Sequence, residues 1–242
     1  MKKDLYIVTG SSEGLGKALV ENLLSDPRAL VIGVSRSAQI SSDRFTPIEL
    51  DLADTEALIQ RMADFFPLGD FGSVTLINNA GWIGEISPLG DLSELGILKV
   101  HLINHVAPSI LVNGFVRQYG ELPARKSVIN ISSGAANKAV DGWSGYCSSK
   151  AALNQLSLVA QAESDLKGYG IRYVALSPGI VDTPMQAEIR SASEDNFSQL
   201  AKFRTFKDEN QLSTPADAAA KIIFLLANLE SMPGVLHDIR SF

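Results

Sequence analysis

At 242 residues, 45% hydrophobic and 20% charged, the chain has enough apolar side chain for a full core and too few charges for extensive disorder, and one domain over residues 1–242 is expected. A net charge of −6 sets a long-range field that repels nucleic-acid phosphates and anionic membrane surfaces, so neither is an expected partner. The lone cysteine, Cys147, cannot close an intrachain disulfide, which fits a reducing compartment and makes cytoplasm the expected location.

In chain order, the apolar run at residues 5–8 is bounded by Asp4 and Gly10, shorter than the roughly 7 residues of a signal core, and reads as a strand buried on both faces. A helix follows over 15–24, with Leu15, Leu19, Val20 and Leu23 on one stripe. Strands are expected at 30–34 and 47–50, then a helix capped by Asp54 and ending near Phe66, just before Pro67. Further strands at 74–77, 128–131 and 171–176 are separated by long helical patterns over 92–119 and 146–166, the first containing Pro108 and expected to kink or break there. Residues 185–210 are polar with scattered Leu200, Phe203 and Phe206 and read as a loosely patterned lid over a substrate. Thr214 and Pro215 open a last helix to 229, and a final strand covers 235–239. Strands alternating with helices predict an α/β Rossmann-type doubly wound parallel sheet of about seven strands. No uncharged apolar stretch approaches the roughly 20 residues that span a bilayer.

The first strand runs into Thr9-Gly10-Ser11-Ser12-Glu13-Gly14-Leu15-Gly16 and then a helix, the context of a dinucleotide-binding turn, with Gly10, Ser12, Gly14, Leu15 and Gly16 placed to meet phosphates. The glycine spacing departs from Gly-x-Gly-x2-Gly, and alone it also reads as a plain strand-to-helix turn. The second strand ends in Ser35-Arg36 where an acid would bind the ribose hydroxyls of NAD; a hydroxyl and a guanidinium suit a 2′-phosphate, and NADPH is the expected cofactor. Tyr146 and Lys150 stand one turn apart at the start of a helix, so the ammonium is expected to depress the phenol's pKa and make it a usable general acid. Ser133, after the fifth strand, is placed to hold a substrate carbonyl oxygen.

With these residues in view, the chain resembles the short-chain dehydrogenase/reductase family over essentially its whole length. The resemblance is carried by Gly10-x3-Gly14-x-Gly16, Asp51, Asn78-Asn79-Ala80-Gly81, Asn104, Ser133, Tyr146-x3-Lys150 and Pro178-Gly179 followed by Thr183. It implies that Asp51 and Leu52 flank the adenine and that Asn79, Ala80 and Gly81 support the cofactor. It implies further that Tyr146, Lys150, Pro178, Gly179, Val181 and Thr183 bind the cofactor, with Lys150 on the nicotinamide ribose hydroxyls and residues 180–183 covering the carboxamide side, and that Asn104 holds a water that passes protons to Lys150. Within the family, Gly142-Trp143-x2-Tyr146 and Val181-Asp182-Thr183-x-Met185 resemble sepiapterin reductases and related bacterial benzil reductases. That likeness points to Trp143, Met185 and Asp238 as substrate residues, to an aromatic ketone, diketone or pterin side chain as substrate, and to a homodimer or homotetramer built on the two long helices through Leu102, Val106, Leu156 and Val159.

Two other readings remain open from the residues. Gly10-x-Ser12-x-Gly14 also fits the nucleophile elbow of α/β hydrolases, with Asp182 and His237 in the right order, although only nine residues precede Gly10. A non-catalytic NADPH sensor would keep the fold without needing Asn104, Ser133, Tyr146 and Lys150. The three histidines form no ligand set with Cys147 or with carboxylates, and no metal is expected.

Overall fold

The computed structural model describes residues 2–37 and 40–242. The first half runs β1 (Lys3–Thr9), α1 (Gly14–Leu23), β2 (Ala29–Ser35), β3 (Phe45–Glu49), α2 (Thr55–Gln60), α3 (Met62–Phe65), β4 (Phe71–Asn78), α4 (Glu94–His101) and α5 (Ala107–Tyr119). The second runs β5 (Arg125–Ile131), α6 (Ser144–Lys167), β6 (Ile171–Ser177), α7 (Pro184–Arg190), α8 (Leu200–Asp208), α9 (Pro215–Ala227) and β7 (Leu236–Asp238). Seven parallel strands form one sheet in the order β3-β2-β1-β4-β5-β6-β7. It is the doubly wound Rossmann-type architecture expected from the alternation of elements.

Alternation along the strands feeds two cores. Ile7, Leu76, Val128 and Tyr173 point to one face, where Leu58, Phe65, Leu111 and Phe115 of α2, α3 and α5 cover them. Their neighbours Val8, Ile77, Ile129 and Val174 point to the other, beneath Leu19 and Val20 of α1 and Ile222 and Leu225 of α9. Because consecutive strand residues face opposite sides, a strand covered on both must be apolar throughout, which is why 5–8 and 74–77 are unbroken apolar or small runs.

Three expectations need correction. Asp54 does cap a helix, accepting from the Ala57 N–H at 2.9 Å, but Arg61 leaves helical geometry (φ −98, ψ 13) and divides the segment into α2 and α3. Pro108 does not break its helix: residues 94–119 are continuous, and the turn over Leu102–Val106 widens to π geometry, with the Ala107 N–H donating to the Leu102 carbonyl. The widened turn puts Pro108 at the start of α5, where its missing N–H costs least. This helix is long and apolar enough to cross a membrane by length and composition, yet Ala107, Leu111 and Phe115 are fully buried against the sheet. Residues 185–210 are mostly helical rather than loosely patterned, as α7 and α8.

Candidate active site

With all strands parallel, the residues that follow β1, β2, β4, β5 and β6 emerge on one edge of the sheet, and the chain order reverses between β1 and β4, where such sheets receive ligands. A cavity of about 580 Å³ lies along this edge.

One end of it is the first turn. A Cβ on Gly16 would come within 2.0 Å of the Gly10 carbonyl oxygen, and one on Gly10, held at φ +69, within 2.9 Å of the Ala80 Cα, so only glycine lets these backbones close. Glu13 precedes α1 without capping it, which leaves first-turn N–H groups directed at the cavity. The Thr9 hydroxyl accepts from the N–H groups of Asn79 and Ala80, both at 3.0 Å, and the Asn79 amide donates to the carbonyls of Thr9 and Gly10. These bonds fasten the turn after β4 to the turn after β1. Ser12, Gly14, Leu15, Ser35, Arg36, Asp51 and Leu52 line the same end. Asp51 accepts from the Ala53 N–H at 2.9 Å and the Ser35 hydroxyl donates to the Ser37 carbonyl at 2.7 Å, whereas Arg36 forms no ion pair among the described residues. A glycine cradle, free helix amides and one uncommitted guanidinium fit the phosphates of a dinucleotide.

Tyr146 and Lys150, on the first turns of α6, are buried at 8% and 3% exposure in the wall of the same cavity. The Lys150 ammonium donates to the Ile131 carbonyl at 2.7 Å and lies 5.8 Å from the centre of the Tyr146 ring. Burial pushes the Tyr146 phenol up to about 12, opposed by a hydrogen bond with Ser133, and burial pushes Lys150 down to about 8. The expected depression of the phenol by the ammonium is therefore not found: burial raises the phenol, the lowering influence on it is the Ser133 hydrogen bond, and Tyr146 is protonated at neutral pH. Ser133, extended at φ −159, caps the 3-10 turn Gly134–Asn137 by accepting from the Ala135 N–H at 3.1 Å, which aims its hydroxyl at the phenol.

Asn104 sits in the π turn, completely buried and behind the cavity wall rather than in it. Its Oδ1 accepts from the Trp82 N–H and its amide donates to the Trp82 carbonyl, both at 2.8 Å, and to the Ser149 hydroxyl at 3.1 Å. Both donors are thus occupied by protein, and only the second lone pair of Oδ1 is free to accept from a water. A Cβ on Gly81 would lie 3.5 Å from both this oxygen and the Lys150 nitrogen, so Gly81 keeps the space between them open. A π turn at this place is not encoded by any residue preference, which is why sequence reasoning missed it.

Beyond Tyr146 the wall becomes aromatic. Trp143 stacks on Phe197 (5.2 Å between centres, 17°) and meets Tyr146 edge-on at 5.6 Å, with Phe203 and Phe206 completing the run. Trp143 and Met185 line the cavity, as do Pro178, Gly179, Val181 and Thr183. The Trp143 Nε1 and Gln186 Oε1 atoms are buried there without hydrogen-bond partners among the described residues. Asp238 is not brought to the cavity: it accepts from the Arg240 N–H at 2.9 Å and pairs with the Arg240 guanidinium at 2.5 Å, while Arg240 itself reaches the lining. A strand-end carboxylate with a backbone N–H and a guanidinium two residues on satisfies itself locally. Sequence reasoning also missed Trp82, Lys99, Lys138 and Lys202; for Lys202 a signal existed, since Gln199, Lys202, Phe203 and Phe206 share one helical face. No hydrolase triad assembles, because Asp182 is paired with Lys207 at 2.6 Å, His237 lies beside the Gly234 carbonyl, and neither lines the cavity that Ser12 does.

The family model described as short chain dehydrogenase matches residues 4–194. A benzil reductase ((S)-benzoin forming) of Bacillus subtilis is 31% identical over 242 residues, 99% of each chain, and one of Bacillus cereus is 36% identical over 94% of this chain and 95% of that one. A crystal structure of a short chain dehydrogenase/reductase from Saccharomyces cerevisiae, 28% identical, superimposes with a TM-score of 0.82 over 98% of this chain and 96% of the other. With a matching glycine turn, a matching sheet and relatives similar from end to end, the chain belongs to the short-chain dehydrogenase/reductase family of nicotinamide-dependent oxidoreductases.

Proposed function

We propose that the protein reduces an aromatic ketone, vicinal diketone or pterin side chain to the alcohol with NADPH, Tyr146 supplying the proton. The observation that carries this reading is the burial of Tyr146 and Lys150 together, with Ser133 on the phenol, in a cavity that continues unbroken from the glycine turn to an aromatic wall. The end-to-end similarity to two benzil reductases supports the carbonyl substrate.

The bound cofactor supplies hydride to the carbonyl carbon. The chain's own groups do the rest. Ser133 and Tyr146 converge as donors on a carbonyl oxygen, so negative charge growing there meets hydroxyls already in position. Tyr146, held protonated by its burial, gives up its proton to that oxygen. Lys150, one turn away, and the free lone pair of Asn104 stand on the path by which the phenol regains it. The aromatic wall excludes water, which strengthens each of these interactions.

The reading of NADPH rather than NADH is supported by Arg36, which lines the adenosine end without a carboxylate partner among the described residues. A panel of diaryl diketones, aryl ketones and pterins followed by NADPH absorbance beside NADH tests the reading: consumption of NADPH with at least one carbonyl is expected, and no consumption with any would contradict it. Arg36→Asp is expected to shift the ratio of kcat/KM for NADPH over NADH at least about tenfold toward NADH, the loss of a charge-assisted hydrogen bond being worth about 1.5–3 kcal/mol. An unchanged ratio would remove Arg36 from phosphate recognition.

We also propose a homodimer or homotetramer through the long helices. Leu95, Leu98, Leu158 and Val159 on α4 and α6 are exposed apolar side chains, whereas Leu156 is packed against the core. Sedimentation equilibrium should return a multiple of the 26.0 kDa chain mass; a monomer at all concentrations would contradict this.

A further inference from the structure

The chain carries a net charge of −6, yet the end of the cavity beyond the glycine turn has the opposite sign. Lys99, Lys138, Lys202 and Arg240 line it alongside Lys150, against a single carboxylate, Glu188. Asp238 compensates Arg240 at 2.5 Å, and Glu188 accepts from the Trp82 indole N–H at 3.1 Å. Lys99, Lys138 and Lys202 have no ion-pair partner among the described residues. Two of the three are held at the rim: the Lys99 ammonium lies 5.2 Å above the Trp82 ring and that of Lys202 lies 5.7 Å above Phe206. An ammonium over an aromatic face keeps its charge while its stem covers apolar surface. Lys138 lies within the field of the Asp238 carboxylate that also pairs with Arg240, so the excess positive charge is carried chiefly by Lys99 and Lys202; around a low-dielectric mouth these cations focus a positive potential into it, in a molecule whose net charge is −6.

We propose that the carbonyl substrate is an aromatic compound carrying a negative charge, of the class of an aryl 2-oxo acid, with its ring against Trp143, Phe203 and Phe206 and its anionic group toward Lys99, Lys138 and Lys202. This rests on the reading of the cavity as a carbonyl-substrate site, and it adds what that reading lacks, the sign of charge selected. Neutral diketones enter the same aromatic space but gain nothing from the rim.

The two tryptophans of the chain, Trp82 and Trp143, both line this end, so quenching of tryptophan fluorescence reports binding here without any turnover. The full chain is titrated with phenylglyoxylate and with its uncharged methyl ester at low and high salt. The acid is expected to bind at least about fivefold more tightly than the ester at about 0.02 M salt, with the advantage falling below about twofold at about 0.3 M, where exposed charges are screened. Lys138→Gln/Lys202→Gln is expected to remove the advantage while leaving the ester's Kd and the unfolding midpoint unchanged. An ester that binds as tightly as the acid, an advantage indifferent to salt and to the two lysines, or no quenching by either compound would overturn the proposal. Because binding is read directly, a retained acid preference in a protein that oxidises no NADPH would sink the reductase reading, and with it the compound's role as substrate, while leaving the selection of an aromatic anion at this end of the cavity.

Discussion

Tyr146→Phe is expected to lower kcat/KM for carbonyl reduction by about 10²–10⁴-fold, the usual range for losing a positioned proton donor, while the Kd for NADPH and the unfolding midpoint stay near wild type. The ring keeps its burial and its edge contact with Trp143 at 5.6 Å, so the one interaction removed is the hydroxyl's with Ser133. Direction also matters. With the phenol pushed up to about 12 by burial, the donor is loaded throughout the physiological range, so reduction should not fail for lack of a proton on Tyr146 at any pH below that value. Steady-state kinetics beside a cofactor-binding titration checks this; a variant within tenfold of wild type would show that the proton comes from elsewhere.

Lys150→Met is expected to abolish reduction and yet raise stability. Lys150 is 3% exposed with no carboxylate partner among the described residues, and burial lowers its ammonium to about 8 from 10.5, a displacement corresponding to about 3 kcal/mol of unfavourable burial at neutral pH. The unfolded chain binds the extra proton between pH 8 and 10.5, so stability rises with pH across that window, and below it the full penalty applies. Tyr146 acts in the other direction: its raised value contributes stability that is present below pH 10 and lost as pH climbs through about 12. Methionine removes the buried charge but leaves the Ile131 carbonyl without its donor, a cost of about 1 kcal/mol, so a net gain of about 2 kcal/mol remains at pH 7. Urea unfolding of both proteins at pH 7 and pH 10 measures it, with the difference narrowing at the higher pH. A variant less stable than wild type at pH 7 would mean that the ammonium is better solvated than its burial implies.

Much of the fold was legible because burial on both faces leaves a clear mark: 5–8 is a short apolar run, 74–77 and 171–176 are apolar but for Thr75 and Arg172, each is closed by Gly, Asn, Ser or Pro, and they became strands inside the sheet. Tyr146 and Lys150 were legible as a pair because helical spacing puts them on one face, and the glycines because no other residue survives a 2.0 Å approach. What stayed hidden depends on distances between segments remote in sequence. The rise in the Tyr146 pKa reflects burial of the phenol, in a cluster with Trp143, Ile83, Ile189 and Leu200, which no local pattern reveals. The π turn carries Asn104, which bridges Trp82 and Ser149, and the pairing of Asp238 with Arg240, two residues on, which sets it outside the cavity lining, was not foreseen. The aromatic face of α8 was visible as scattered phenylalanines but not as a wall, since its polar partner positions obscure the helical period.

A crystal structure of the protein with NADP⁺ and an aryl ketone tests the central claim most directly. The ketone oxygen should lie within about 2.6–3.2 Å of both the Tyr146 and Ser133 hydroxyls, with its carbonyl carbon facing the nicotinamide ring. A ketone bound elsewhere in the cavity, or a nicotinamide remote from Tyr146 and Lys150, would contradict it.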